Sequence, residues 1–291
     1  MSIGDLLNII IILFLIQAFT PILQSLRLNM ARRRAIRAIE RRRGSRLITM
    51  IHRQESVSLL GIPVARYINI EDSEAILRAI RLTDPDVPID LVLHTPGGLV
   101  LAAEQIASAL NRHPGRVTVF VPHYAMSGGT LVALAADEIV MDPNAVLGPT
   151  DPQLGDPQHG YYPASSVLAA LAQPNPNRDD TTLMLGDMAR KAIKQVHDAV
   201  YSLVKDKMPP EQAENLARQM SEGQWTHDYP INADEAARLG LRISTDMPRE
   251  FYDLMDLYPQ PSQRRPSVEF IPVPYRPVAP GRGREHLGDD W

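Results

Sequence analysis

The chain has 291 residues, of which 44% are hydrophobic and 22% charged, and its formal net charge at pH 7 is −4. This size and composition suit a protein with a sizeable hydrophobic core, and the small negative charge provides no general signature of nucleic-acid binding. Because the chain contains no cysteine, disulfide bonds, thiolate nucleophiles and cysteine-ligated metals are excluded. An aromatic content of 5% also argues against a stacking surface for single-stranded nucleic acid.

The N-terminal stretch, residues 6–26, is apolar and carries no charged side chain after Asp5. Its length is close to the ~20 residues that a helix needs to cross a bilayer. Polar residues within it, including Asn8 and Gln17, leave an interfacial helix as the alternative. We therefore predict a transmembrane anchor at residues 1–26.

Arginines cluster immediately after the apolar stretch, in a basic juxtamembrane segment at residues 27–46. By the positive-inside rule this segment stays on the cytoplasmic side, which predicts a single-pass protein of a cell membrane with its remaining chain in the cytoplasm. The arginines could also contact anionic lipid headgroups, although membrane topology alone explains them.

Strands and helices alternate through the first part of the predicted main domain, residues 47–245. Apolar runs predict strands at 47–52, 66–70, 89–94, 117–121 and 138–141. Helical periodicity predicts helices at 71–82, 99–110 and 131–136. This alternation indicates an α/β fold with largely parallel strand pairing.

The second part of the chain is predicted to be mainly helical. Residues 142–163 are rich in proline, glycine and aspartate and are predicted to form a long loop. Helices are expected at 165–171, 181–207, 209–220 and 234–239. Residues 246–291 contain many prolines and few apolar clusters, so we predict a mostly flexible tail.

Ser127 lies at a junction between a predicted strand and a predicted helix, within the sequence HYAMSGGT at residues 123–130. A serine on such a turn exposes its hydroxyl group next to backbone N–H groups that have no helical partner, as at Gly128. A nucleophile and donors for an oxyanion are two parts of an acyl-transfer site. The alternative is a serine that caps the helix, followed by glycines in a turn.

A second glycine turn, formed by Gly97 and Gly98, follows the preceding predicted strand. In parallel sheets, binding sites gather at the carboxyl ends of the strands, and glycine lets the backbone approach a substrate closely. A donor from Gly97 or Gly98 would complete an oxyanion hole with Gly128. A phosphate-binding loop is the rival interpretation, but the Gly-Lys-Ser/Thr signature is missing.

These motifs together resemble the ClpP/signal-peptide-peptidase-A superfamily of serine peptidases, and most closely the membrane-bound serine dehydrogenase proteinase family. The resemblance covers residues 47–243, and its matching pieces are 95–98 (TPGG), 125–129 (AMSGG), 142–145 (DPNA) and 152–155 (PQLG). It implies a ClpP/crotonase-like spiral of ββα units and assembly into homo-oligomers, without a metal or an organic cofactor. A dehydrogenase is not implied, because no Gly-x-Gly-x-x-Gly turn follows a strand.

The general base is the least constrained part of the predicted site. In the ClpP branch a histidine follows the segment that matches residues 143–145, but Thr150 stands at that position. His159 and His123 lie nearby, and His123 reads more simply as a polar residue at a strand end. In the signal-peptide-peptidase branch the base is a lysine, which the resemblance places at Lys191, with Lys194 one helical turn away as the reserve.

The resemblance therefore implies a membrane-anchored serine endopeptidase with a Ser-Lys dyad of Ser127 and Lys191. Such a lysine must be neutral to accept a proton, which requires burial that lowers its pKa. The expected substrates are membrane-associated or unfolded polypeptides, and a stomatin-like membrane partner is left open. The alternatives are a catalytically silent ClpP-like membrane scaffold and a crotonase-type acyl-transfer enzyme on the same fold.

Overall fold

The computed structural model describes residues 3–52, 67–156 and 160–258, all of which belong to one compact unit. Its strands are β1 (Arg46–Ile51), β2 (Ile89–His94), β3 (Val117–Val121), β4 (Tyr124–Ala125), β5 (Glu138–Met141), β6 (Val146–Leu147), β7 (Gln153–Asp156), β8 (Gly160–Pro163), β9 (Ile231–Asn232) and β10 (Ile243–Ser244). Its helices are α1 (Ile3–Arg43), α2 (Ile70–Arg81), α3 (Val100–Asn111), α4 (Gly128–Leu134), α5 (Ala164–Ala172), α6 (Asp180–Val204), α7 (Pro210–Ser221), α8 (Ala233–Arg238) and α9 (Arg249–Asp256).

The main sheet has five parallel strands in the order β1-β2-β3-β5-β10. All six residues of β2 and all five of β3 are buried, as expected for central strands covered on both faces. Because the strands are parallel, the turns that follow β1, β2 and β3 lie along one edge. The predicted α/β fold with parallel pairing is thus confirmed.

A small second sheet, β4-β6-β9, stands next to the carboxyl edge of the main sheet. Strand β4 pairs in parallel with β6, and β6 pairs antiparallel with β9. A bridge between Thr95 and Ala125 connects the end of β2 to β4. In this bridge the Thr95 N–H donates to the Tyr124 carbonyl at 3.2 Å, and the Met126 N–H donates to the Thr95 carbonyl at 3.0 Å.

The two faces of the main sheet pack against different helices. Ile106 of α3, Leu131 of α4 and Val200 of α6 belong to the larger hydrophobic cluster. The opposite face carries Phe120, whose ring stacks on Phe251 of α9 with centroids 3.9 Å apart. Alternate residues of β3 point to opposite faces, so a single buried strand supplies both clusters.

Helix α9 corrects the prediction of a flexible tail over residues 246–291. Residues 249–256 are helical, and Phe251, Leu254 and Met255 are buried against the sheet. The high proline content of the whole segment concealed a short amphipathic helix whose apolar residues are spaced by three and one. The rest of the predicted tail, from residue 259, lies outside the described residues.

The predicted loop at residues 142–163 is wrong in part, because it contains strands β6, β7 and β8. Strands β7 and β8 form an antiparallel hairpin from Gln153↔Pro163 to Asp156↔Gly160. Strand β6 is only two residues long, which is too short for an alternating pattern to show in the sequence. Tertiary pairing with β4 and β9 therefore decides its conformation.

Helix α1 runs without a break from the apolar stretch into the arginine-rich segment. Within the part of the chain that the structure describes, no helix is long and apolar enough to cross a membrane, so the predicted span at residues 6–26 is not confirmed. The end of α1 packs on the domain, where Arg43 donates to both Asp90 oxygens, at 2.5 and 3.2 Å. Part of the predicted juxtamembrane segment, 27–46, is therefore bound to the domain.

Candidate active site

Ser127 occupies a strained turn between β4 and α4. Its backbone has φ 52° and ψ −119°, and it is the one non-glycine residue with positive φ within the described ranges. Ser127 occupies the N-cap position of α4, but its side chain makes no capping hydrogen bond, so the hydroxyl group is not used to cap the helix. Such a conformation costs about 1–3 kcal/mol and is found mainly at functional sites. The serine is half-buried.

Gly97 lies directly against Ser127. Its φ is +106°, and a Cβ added at Gly97 would lie 2.7 Å from the Ser127 Cβ and 2.9 Å from the Met126 carbonyl oxygen. A real Cβ essentially never comes this close to another heavy atom. Only glycine therefore allows the turn after β2 to pack on the turn after β4. The two glycine-containing motifs of the sequence thus lie side by side.

The backbone donors of the two turns differ in their partners. The Gly97 N–H donates to the Thr95 hydroxyl at 3.2 Å. The N–H groups of Gly98 and Gly128, in contrast, have no acceptor among the described residues. They are close to each other, since a Cβ added at Gly128 would lie 3.5 Å from the Gly98 nitrogen. Of the three predicted oxyanion donors, Gly98 and Gly128 are the pair with N–H groups available for a ligand.

The two predicted lysines lie on the exposed face of α6. Lys191 pairs with Asp187 at 2.5 Å and its side chain is 76% exposed. Lys194 pairs with Asp198, four residues along the same helix, and is 75% exposed. The Lys191 ammonium lowers the pKa of Asp187 through its hydrogen bond. Neither lysine is joined to Ser127 by a hydrogen bond within the described residues.

The histidines near the motif occupy different settings. His123 is exposed, and its ring stacks at 5.7 Å on that of the buried His94. His159 lies outside the described residues. Thr150, at the position of the ClpP-branch histidine, is buried and its hydroxyl donates to the Met220 carbonyl at 3.1 Å. None of these three positions is shown to supply a base for Ser127.

A histidine–aspartate pair that the sequence analysis missed lies at the same edge of the small sheet. Asp151 is 2% exposed and accepts from His227 Nδ1 at 2.8 Å. Ser127 follows β4 and Asp151 follows the parallel β6, while His227 precedes the antiparallel β9. With the Nδ1 proton directed at the carboxylate, Nε2 carries the lone pair. The two residues are 76 apart in sequence, so only the sheet pairing reveals them.

No metal site is formed by the histidine, aspartate and glutamate side chains that the structure describes. The geometry instead offers a serine on a strained backbone next to two N–H groups that have no acceptor within the described ranges, on a parallel α/β fold. These features define the class of enzymes that transfer an acyl group through a serine nucleophile.

Comparison with known proteins agrees with this class. A family model for ClpP-like SDH-type serine proteinases matches residues 1–282, so the chain belongs to this family and is a serine peptidase. An uncharacterised Methanocaldococcus jannaschii protein, MJ1495, is 56% identical over 246 residues, covering 84% of this chain and 82% of that protein.

Two further proteins are more distantly similar. Membrane protein NfeD1b of Bacillus subtilis is 30% identical over 156 residues, which cover 51% of this chain and 31% of that protein. The solved structure of a serine-to-alanine variant of the 1510-N membrane-bound stomatin-specific protease aligns with a TM-score of 0.45 and 21% identity, over 65% of this chain and 79% of that one.

Proposed function

We propose that this serine peptidase is a membrane-anchored endopeptidase in which Ser127 is the nucleophile. The observation that carries the proposal is the strained Ser127 turn, with Gly97 packed against it and two available N–H groups beside it. A serine held in this way is oriented before the substrate arrives, so little reorganisation is needed in the transition state.

The reaction has two steps. The Ser127 Oγ attacks the carbonyl carbon of the scissile peptide bond while a base accepts the hydroxyl proton, and the Gly98 and Gly128 N–H groups stabilise the oxyanion. The C–N bond then breaks as the proton passes to the leaving amine, which gives an acyl-enzyme. Water then attacks the acyl carbon while the same base takes one of its protons. That proton passes to the Ser127 oxygen as the ester C–O bond breaks, and the carboxylic acid product is released.

Two groups compete for the role of base. Lys191 is the base in the proposed Ser-Lys dyad, and in this role it must leave Asp187 and become shielded from water, for instance by a second copy of the chain. In the His227–Asp151 pair a buried carboxylate already orients the imidazole, which must in this role come within hydrogen-bond reach of the Ser127 hydroxyl.

The proposed substrates are unfolded or membrane-associated polypeptides, cleaved at the cytoplasmic face of the cell membrane. The apolar composition of residues 6–26 and the arginines that follow support an anchor, and a relative is a membrane protein. A homo-oligomer and a stomatin-like membrane partner belong to the same proposal. Deleting residues 1–26 is expected to move the protein from the membrane pellet to the supernatant.

The nucleophile is tested with Ser127→Ala and a fluorophosphonate probe. The wild-type protein is expected to hydrolyse casein and to be labelled at Ser127, whereas Ser127→Ala loses both properties and keeps its oligomeric state. Ser202→Ala, at an exposed serine of α6, serves as the matched control and retains wild-type activity. Unchanged turnover in Ser127→Ala would overturn the proposal.

The two alternative functions give different results in the same experiment. A crotonase-type acyl-transfer enzyme uses the oxyanion hole without a nucleophilic serine, so the probe would leave Ser127 unlabelled. A catalytically silent scaffold would also remain unlabelled, and its phenotype would depend on residues 1–46 and not on Ser127.

A further inference from the structure

A series of hydrogen-bonded polar side chains connects α2 to the glycine turn beside Ser127. Asp72 Oδ2 lies 3.2 Å from His52 Nε2, and His52 Nδ1 lies 2.9 Å from the Thr95 hydroxyl. The Thr95 hydroxyl in turn accepts from the Gly97 N–H at 3.2 Å. The series therefore ends on the glycine that packs directly against Ser127.

Asp72, His52 and Thr95 are linked like the carboxylate, imidazole and hydroxyl group of a catalytic triad. The burial of His52 and Thr95 excludes that role. Thr95 has no exposed surface and His52 is 6% exposed, so a substrate carbonyl cannot reach the hydroxyl group. A nucleophile must contact its substrate at about 3 Å. Asp72, His52 and Thr95 can therefore affect catalysis only through the protein groups that they contact.

The Thr95 Oγ1 lies 2.9 Å from His52 Nδ1 and 3.4 Å from the Gly97 carbonyl oxygen, so its proton has two possible acceptors, of which the imidazole is the nearer. The following assignment directs the proton to the imidazole. The His52 Nε2–H donates to the Asp72 carboxylate, which leaves the Nδ1 lone pair to accept the Thr95 O–H. With its proton directed at His52, the Thr95 oxygen has a lone pair free for the Gly97 N–H. The carboxylate thus determines the imidazole tautomer, and the tautomer determines which way the hydroxyl points.

The backbone holds the same turn from its other side. The Ile68 N–H donates to the Gly97 carbonyl at 2.7 Å, and the Leu99 N–H donates to the Ile68 carbonyl at 2.9 Å. Gly98 lies between these two bonds, and its N–H is left without an acceptor among the described residues. The Ile68 N–H holds the Gly97–Gly98 peptide through the Gly97 carbonyl, and the Thr95 hydroxyl holds the preceding Pro96–Gly97 peptide through the Gly97 N–H. Both peptides that flank the Gly97 Cα are thus fixed, and with them the direction of the Gly98 N–H.

We propose that Thr95, oriented by His52 and Asp72, is a positioning residue that aims the Gly98 N–H at the oxyanion. This inference rests on the proposed function, since it assigns a role in the same site. The Thr95 hydroxyl accepts the Gly97 N–H, which leaves the Gly98 N–H as the donor that acts together with the Gly128 N–H. It acts on the transition state, in which the carbonyl oxygen becomes charged, more than on substrate binding.

The test compares two substitutions at Thr95. Thr95→Val removes the hydroxyl but keeps the Cγ2 methyl group, which faces Gly129. Thr95→Ser keeps the hydroxyl and removes that methyl group. We expect Thr95→Val to lower kcat by about ten- to a hundredfold with little change in KM, as for a misplaced oxyanion donor. Thr95→Ser should retain a kcat near the wild-type value, although it should be less stable than the wild type.

Thr49→Val is the matched control, because the hydroxyl of Thr49, in β1, contacts Tyr258 at 3.1 Å and makes no hydrogen bond to the glycine turn within the described residues. It should lose stability and retain kcat. His52→Asn provides a second variant if Thr95→Val does not fold, since its amide oxygen can replace Nδ1 as the acceptor. It loses the Asp72 contact, and its kcat should fall between those of the wild type and Thr95→Val.

The outcomes separate this inference from the function on which it rests. Wild-type kcat in Thr95→Val, or equal losses of kcat in the valine and serine variants, would overturn the role of the hydroxyl group. Wild-type kcat in His52→Asn would overturn the role of the imidazole. Failure of the proposed function would appear instead as a wild-type protein that neither hydrolyses casein nor reacts with the fluorophosphonate at Ser127.

Discussion

The two ends of α4 are both enclosed by the domain, yet they carry opposite kinds of groups. At the first end, the Ser127 hydroxyl and the Gly128 N–H are left available at the carboxyl edge of the main sheet. At the other end, Lys207 Nζ donates to the carbonyl groups of Leu134 and Ala135, at 3.0 and 2.7 Å. The N–H group at the first turn of α4 is left without a partner within the described residues and can bind a substrate. The carbonyl groups at the last turn have a hydrogen-bond donor, which stabilises the helix.

Lys207 shows why a lowered pKa does not by itself identify a catalytic lysine. Desolvation by burial lowers its pKa to about 8, against the attraction of Asp137. However, Asp137 is hydrogen-bonded to Val117, at the start of β3, whereas Ser127 lies beyond the end of that strand. A strand of five residues is about 16 Å long. The lysine with the lowered pKa is therefore at the wrong edge of the sheet.

The largest effect at the first turn of α4 is expected from Gly97→Ala. The added methyl group would meet the Ser127 Cβ at 2.7 Å, so the turn after β2 must move and the oxyanion donors with it. We expect the rate of casein hydrolysis to fall by about a hundredfold or more, measured under conditions in which the variant is folded.

Gly44→Ala is the matched control for this substitution. Gly44 also has a positive φ, of +64°, but no atom lies within 4 Å of an added Cβ. It should therefore lose only the conformational contribution of about 1–2 kcal/mol to stability and keep its activity. If Gly97→Ala and Gly44→Ala retained the same activity, the contact between the two turns would have no catalytic importance.

The last turn of α4 is tested by the pH dependence of stability. Because the pKa of Lys207 is about 8 when folded and 10.5 when unfolded, the unfolded state binds more protons between these pH values. The lysine therefore makes the free energy of unfolding rise with pH between about 8 and 10.5. Urea unfolding at several pH values should show this slope in the wild type and a smaller slope in Lys207→Met. Equal slopes would mean that Lys207 is solvated in the folded protein.

Much of the fold follows from the sequence because local pattern and burial agree. The runs at β2 and β3 are apolar throughout and are central strands, as predicted. Residues 249–256 show the opposite case, since proline-rich surroundings concealed a helix that exists because Phe251 stacks on Phe120. That contact joins residues 131 positions apart, which no local pattern contains.

The candidate site divides in the same way. The two glycine turns could be predicted, because glycine next to a strand end has a local conformational reason. The partners of the turns could not, since His52 meets Thr95 across β1 and β2, and His227 meets Asp151 across 76 residues. The resemblance gives the lysine only a position along α6. It supplies no information on which face of the helix is buried, and both lysines lie on the exposed face.

The smallest effect on stability is expected at these two lysines, and this makes them a clean test of the base. Lys191→Met and Lys194→Met each remove one exposed ion pair four residues apart on the same helix, so both should unfold at the wild-type temperature. If Lys191 is the base, its variant alone loses about a hundred- to ten-thousandfold in kcat/KM. Equal activity of both variants, together with a loss in His227→Gln, would assign the base to the His227–Asp151 pair.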